Sequence, residues 1–198
     1  MKVIDISQEI FASRVYPGDP SPKRTALESM AEGSTYNLSA FSMCAHNGTH
    51  IDAPRHFLPE GKTIDQLEPS IFVGPAYVAT VSTEEISAAQ AERIIAAAAQ
   101  AGAGERLLLR GSALVTPSSA RVFAQAKLKL IGTDLLSFGP EETPAEVHRI
   151  LLSSGIALLE GLSLDHVSDG YYMLSAMPLN LGGCEGSPCR AVLIEDVH

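Results

Sequence analysis

The stretch AYVATVSTEEISAAQAERIIAAAAQAGAGERLLLRG, residues 76–111, sets two apolar runs of strand length, AYVATV (76–81) and RLLLRG (106–111), on either side of an alanine-rich segment. Ser87 and Gln90 have capping-box spacing, Ala88 to Gln100 are mostly strong helix formers, and Gly102 and Gly104 supply the stop. A strand, a helix and a second strand in this order predict a βαβ unit, because parallel neighbours need a crossover of about a dozen residues or more.

The alternation continues downstream with a helix over 117–126, a strand KLKLIGTD (127–134), a helix over 144–153 and a strand IALLEGL (156–162). The third helix has Thr143 as N-cap, Pro144 at its first position, Glu146 in its first turn and Gly155 beyond its end. Upstream, VIDISQEI (3–10) leads into the turn-forming YPGDPSP (16–22) and an extended TYNLSAFSMCAH (35–46). GYYMLSAM and RAVLIEDV near the C-terminus read as two further strands. The fold expected is α/β, one domain over 1–198 with a large mixed sheet.

At 198 residues such a domain buries roughly 70% of its unfolded surface without help from disulfides. The formal charge of −9, with no basic run, works against nucleic acid and anionic membrane surfaces as partners. Cys44, Cys184 and Cys189 are an odd number without CxxC spacing, which fits free thiols in a reducing compartment. Asp5 and Glu9 interrupt what a signal peptide would keep apolar, and no run of 18 or more apolar residues follows. A cytoplasmic protein is expected.

Three of the six histidines fall in HNGTHIDAPRHF, residues 46–57. His46 and His50 have the i, i+4 spacing of a helical metal motif, but Gly48, the β-branched Thr49 and Ile51, and Pro54 argue for a glycine turn followed by an extended arm. On such an arm His50, Asp52 and His56 point the same way, and His46 can converge on them. Imidazole with carboxylate suits Zn²⁺, Mn²⁺ or Fe²⁺ and leaves coordination positions open. Further ligands are sought at strand ends, where Glu160 and Asp134 follow apolar runs. His148, beside an apolar helical stripe, reads from position alone as structural or solvated, and His166 and His198 as incidental.

With these residues in hand, the sequence resembles the metal-dependent cyclase family, which includes bacterial kynurenine formamidases and isatin hydrolases. Its signature HxGTHxDxPxHF is matched by His46, Gly48, Thr49, His50, Asp52, Pro54, His56 and Phe57. YPGDP, VGPA, IGTD, HRILL with LLEGL, and GSPCRAV follow in the family's order, so the resemblance spans nearly the whole chain. It implies a swivelling-type mixed α/β sandwich, commonly dimeric. It also implies metal ligation by His46, His50, Asp52, His148 and Glu160, with His56 as proton donor and acceptor. The cofactor implied is one or two divalent ions, Zn²⁺ or Mn²⁺, and the reaction is amide C–N hydrolysis of a small aryl amide or cyclic amide.

Tyr16 stands where formamidases usually carry tryptophan and is expected to stack on an aromatic substrate. Leu135 and Leu136 replace smaller residues after IGTD, and Glu185 replaces an aspartate before GSP. Three readings compete with an arylformamidase: a hydrolase of cyclic imides, lactams or lactones, a non-catalytic ligand binder on the same fold, and a structural metal site. The intact His56 counts against the second, and the cysteine-free, carboxylate-rich set against the third.

Overall fold

The computed structural model describes residues 1–140 and 144–195, so the Thr143 cap and His198 lie outside the described residues. The strands before the first α-helix are β1 (Lys2–Asp5), β2 (Lys23–Glu28), β3 (Leu38–Ser42), β4 (His50–Asp52), β5 (Val73–Thr80) and β6 (Glu85–Ile86). Then come α1 (Ala88–Gln100), β7 (Arg106–Arg110), β8 (Leu114–Val115), α2 (Pro117–Gln125), β9 (Leu130–Thr133), α3 (Pro144–Ser153) and β10 (Ala157–Glu160). The chain closes with β11 (Gly170–Ser175), β12 (Gly186–Pro188) and β13 (Val192–Glu195).

The expected capping box holds α1: the Ser87 side chain accepts from Gln90 N–H, and the Gln90 side chain accepts from Ser87 N–H at 2.9 Å. Gly102 turns the chain at φ +75°. Thr116 caps α2 in the same way. The strand expected over 127–134 begins only at Leu130, because Lys127 takes the left-handed conformation at φ +57° and reverses the chain after α2.

Nine strands form one mixed sheet in the order β1-β13-β11-β5-β7-β9-β10-β4-β12. Its centre, β5-β7-β9-β10, is parallel, as the βαβ reading requires, and its flanks are antiparallel. Because these strands are buried on both faces, adjacent residues serve different cores. Leu158 and Ile131 pack beneath the helices with Phe123 and Leu151, while Leu159 and Leu130 pack on the opposite face.

That opposite core also joins Ile6 and Leu193, from one end of the strand order, to Ile51 and Ala53 from the other. The sheet is therefore curled. Ser163 N–H, just past β10, donates to the Ile6 carbonyl, just past β1, at 2.9 Å across the curl. Strands β2 and β3 stand apart as a hairpin, exposed along its whole length.

Candidate metal centre

The turn before β4 is fixed by its own side chains. Asn47 Oδ1 accepts from Cys44 N–H at 3.0 Å, and Gly48 takes φ +68°. Thr49 Oγ1 donates to the Gly161 carbonyl at 2.6 Å and accepts from Gln8 N–H at 2.9 Å, which ties the turn to the end of β10. Strand β4 then runs between β10 and β12, with His50 opposite Glu160 and Pro188, and Asp52 opposite Leu158 and Gly186. Period-two geometry puts His50 and Asp52 on one face, and Ile51 in the core behind.

The extended arm stops sooner than expected. Pro54 holds Ala53 extended (φ −91°, ψ 160°) and itself opens a single 3₁₀ turn over Pro54–His56. His56 is thus brought to the site by a turn rather than by strand alternation, and its ring stacks on His46 at a centroid distance of 4.1 Å. Phe57 lies against the His148 ring at 4.4 Å and so steadies a residue about ninety positions away.

Five side chains converge: His46, His50 and Asp52 form one group of donor atoms within 4.8 Å of one another, and Asp52, His148 and Glu160 form a second. Asp52 belongs to both. His50 Nδ1–H donates to the Gly48 carbonyl (3.0 Å) and His148 Nδ1–H to the Pro144 carbonyl (2.6 Å). A carbonyl only accepts, so in each neutral ring the Nε2 lone pair points into the cluster. His46 is turned the other way, with Nδ1 2.9 Å from Asp52 Oδ1 and Nε2 3.3 Å from Glu185 Oε1. Gly186 permits this approach: a Cβ there would meet His46 Cε1 at 2.8 Å.

The residues fit a divalent ion. His50 Nε2 and Asp52 Oδ2 are buried without a hydrogen-bond partner, although His50 Nε2 lies 3.4 Å from both Asp52 Oδ1 and Glu160 Oε2. Orphaned buried polar atoms cost about 1–3 kcal/mol each, so a lone pair and carboxylate oxygens facing one another call for a cation. Protons satisfy the same demand. Burial alone would lower the His50 pKa, but hydrogen bonds to Asp52 and Glu160 hold it well above the ordinary value. His46 and His148 are raised in the same manner against burial, mainly by Asp52 and Glu160 respectively. Asp52 is held well below the usual carboxylate range, as His46 and His50 outweigh its burial.

His56 differs from the other three. Burial leaves its imidazole below the ordinary value despite the nearby carboxylates, and it belongs to neither ligand group. It lines a pocket of about 240 Å³ over the cluster, together with Tyr16, Phe57, Leu136 and Ser137. Tyr16 is 42% exposed among these lining residues.

The other strand-end carboxylate does not join the cluster. Asp134 accepts Gly111 N–H (2.8 Å) and Ser112 N–H (2.9 Å), and so holds the turn after β7. Arg190 pairs with the exposed Asp5. Burial pushes the Cys189 thiol up to about 12, and Cys189 belongs to neither group of converging donors. Sequence reasoning missed Glu185, Gly186 and the Phe138 N–H that donates to Glu160 Oε1 at 2.9 Å. All three act through tertiary contacts that leave no local pattern.

Three histidines and two carboxylates that fit a divalent ion, beside a histidine outside both groups, on a curled mixed sheet, define a class of metal-dependent α/β protein. The chain belongs to the Cyclase family, whose model matches residues 4–140. It is 37% identical to a kynurenine formamidase of Bacillus thuringiensis (strain Al Hakam), over 96% of each chain. It is 34% identical to that of Salinibacter ruber, over 98% of this chain and 97% of the relative. Among solved structures, a potential metal-dependent hydrolase with cyclase activity superposes with a TM-score of 0.80 at 28% identity, covering 98% and 99% of the two chains. An isatin hydrolase bound to thioisatinate shares the fold, with a TM-score of 0.83 at 20% identity over 98% and 93%.

Proposed function

We propose that this protein is a metal-dependent hydrolase of the arylformamidase type, cleaving the amide C–N bond of an N-formyl arylamine such as N-formylkynurenine. The observation that carries the reading is the pair of ligand groups sharing Asp52 under a pocket that also holds an uncoordinated, low-pKa His56. The full-length relatives named kynurenine formamidase support the substrate class. His46, His50, Asp52, His148 and Glu160 are the proposed ligands, and the shared Asp52 favours two ions over one. Nitrogen and oxygen donors without thiolate suit Zn²⁺ or Mn²⁺.

These residues would hold the ion, which when bound would supply water of pKa about 7 and would polarise the scissile carbonyl. The protein does the rest. His56 is neutral near pH 7, so it takes a proton from the attacking water and returns it to the departing aryl nitrogen, a role worth about 10²–10⁴-fold. Tyr16 receives the aromatic ring at the mouth. Phe57 and Leu136 narrow the pocket and exclude bulk solvent.

The same reading makes 1–198 one hydrolase domain working in the cytoplasm; among the described residues no helix is long and apolar enough to cross a membrane. It also makes the protein a homodimer or higher homo-oligomer. An isolated two-stranded hairpin is marginal in water, yet β2–β3 and its connection expose Leu27, Tyr36 and Phe41. Light scattering of Phe41→Asp against wild type tests the assembly.

Purification without chelator, metal analysis, and formate release from N-formylkynurenine with Zn²⁺ or Mn²⁺ test the activity. Turnover of isatin but of no formamide would transfer the reading to cyclic amides. Absence of both metal and turnover would end it.

A further inference from the structure

His46 lies between two carboxylates, with Nδ1 2.9 Å from Asp52 Oδ1 and Nε2 3.3 Å from Glu185 Oε1. The two carboxylates differ in kind. Asp52 is wholly buried and belongs to both groups of converging donor atoms, whereas Glu185 belongs to neither and its side chain is 44% exposed at the rim. Its backbone is nevertheless pinned beside the site, because the Glu185 carbonyl accepts from Ala53 N–H at 2.8 Å directly after β4. Gly186, next along, clears the space that the His46 ring occupies.

A neutral imidazole carries one N–H, so only one of the two carboxylates receives it. A proton on Nδ1 would go to Asp52, would withdraw that nitrogen from the cluster, and would leave the Nε2 lone pair facing Glu185 with no donor between them. A proton on Nε2 gives Glu185 its donor. It also leaves the Nδ1 lone pair aimed at Asp52 Oδ1, which His50 Nε2 approaches to 3.4 Å.

A histidine that ligates a metal through one ring nitrogen almost always donates the other N–H to a carbonyl, a carboxylate or water. His50 has the Gly48 carbonyl for this and His148 the Pro144 carbonyl. For His46 the corresponding acceptor is Glu185.

We propose that Glu185 is a positioning residue: by accepting the Nε2–H of His46 it selects the tautomer in which His46 ligates through Nδ1, whereas His50 and His148 ligate through Nε2. The proposal rests on His46 being a metal ligand and not on the identity of the substrate. Glu185 touches neither substrate nor ion in this role; it acts through the imidazole.

The test is heteronuclear NMR of the imidazole rings in Zn²⁺-loaded protein, with Zn²⁺ affinity measured by competition against a chromogenic chelator. In the wild type the His46 ring should carry its proton on Nε2, and the His50 and His148 rings on Nδ1. Glu185→Ala should weaken Zn²⁺ binding by about 10–100-fold, the scale of losing the outer partner of a ligating histidine. Glu185→Gln keeps an amide oxygen for the Nε2–H, so it should hold the tautomer and lose less affinity than Glu185→Ala.

A wild-type His46 ring protonated on Nδ1, or an unchanged affinity in Glu185→Ala, overturns the proposal while the ligand set stands. Equal losses in the Ala and Gln variants would mark a bare effect of charge on the ion and overturn it as well. A wild type that takes up no Zn²⁺ refutes the ligand assignment itself and this role with it. Turnover enters none of these readouts, so a protein that binds Zn²⁺ as described but cleaves no formamide sinks the formamidase reading alone.

Discussion

His50 and Glu160 sit directly opposite one another across the antiparallel β4–β10 pair, with His50 Nε2 3.4 Å from Glu160 Oε2. Two strands far apart in sequence thus present a lone pair and a carboxylate to one point. The same point is approached by Asp52 from β4 and by His148 from α3.

Without an ion the cluster depends on protons, which fixes a pH dependence. The imidazole pKa values of His46, His50 and His148 are raised in the fold, so their stabilisation is complete below the ordinary 6.5 and is lost as pH rises through the raised values. Asp52, held low, acts with the opposite slope only below 3.8, outside this window. Chelated protein should therefore show a falling Tm from about pH 6 upward. Zn²⁺ or Mn²⁺ at about a hundredfold over Kd should add about 2.7 kcal/mol, or roughly 5–10 °C, with the larger gain at higher pH. A Tm indifferent to both pH and metal would refute the charge balance described here.

Gly186 is where the second edge of β4 controls the site. A Cβ there would lie 2.8 Å from both His46 Cε1 and the Ile51 carbonyl. Gly186→Ala should cost about 1–3 kcal/mol of stability through overpacking. It should also weaken metal binding by about 10–100-fold, because His46 must leave both Asp52 and Glu185. Denaturant unfolding and metal titration of the same variant measure the two effects, and unchanged metal affinity would mean that His46 is no ligand.

Legibility differed by kind of interaction. Ser87 with Gln90, and the glycines ending α1, act within a few residues, so the helix was readable to the residue. His50 and Asp52 on one face follow from strand alternation once Gly48 and Pro54 exclude a helix. His56 does not, because Pro54 opens a 3₁₀ turn that local propensity leaves open. His148 read alone as a structural histidine on an apolar helix; its carbonyl partner at Pro144 and its carboxylate partner at Glu160 become visible only when α3 packs beside β10. Glu185 stood out only as a replacement for the family's aspartate before GSP, and its place beside His46 follows from the pairing of the three-residue β12 with β4.

His56 and the five proposed ligands should separate cleanly in kinetics. His56→Ala keeps both ligand groups intact, so it should bind the same number of ions as wild type while kcat falls about 10²–10⁴-fold with KM little changed. Glu160→Gln removes a charge shared with His50 and His148, and should lose metal and turnover together. Metal stoichiometry by mass spectrometry beside steady-state formate release tests the division. A His56→Ala protein that loses its ions would make His56 a ligand instead.

Asp134 directly follows β9 and Glu160 ends β10, and the two carboxylates should nonetheless behave in different ways. Asp134 is 8% exposed and both of its oxygens accept backbone N–H groups, from Gly111 and Ser112, the latter held at φ +57°. Asp134→Ala would leave two donors in the turn after β7 without a partner, at about 1–3 kcal/mol each. The variant should therefore unfold at lower denaturant while, once folded, it binds metal with wild-type affinity. Glu160→Gln should instead lose metal affinity, and should flatten the pH dependence of metal-free stability, because His50 and His148 lose a carboxylate that raises their pKa values. Chemical denaturation of the two chelated variants, followed by metal titration, decides it; a metal defect in Asp134→Ala would bring this residue back into the site.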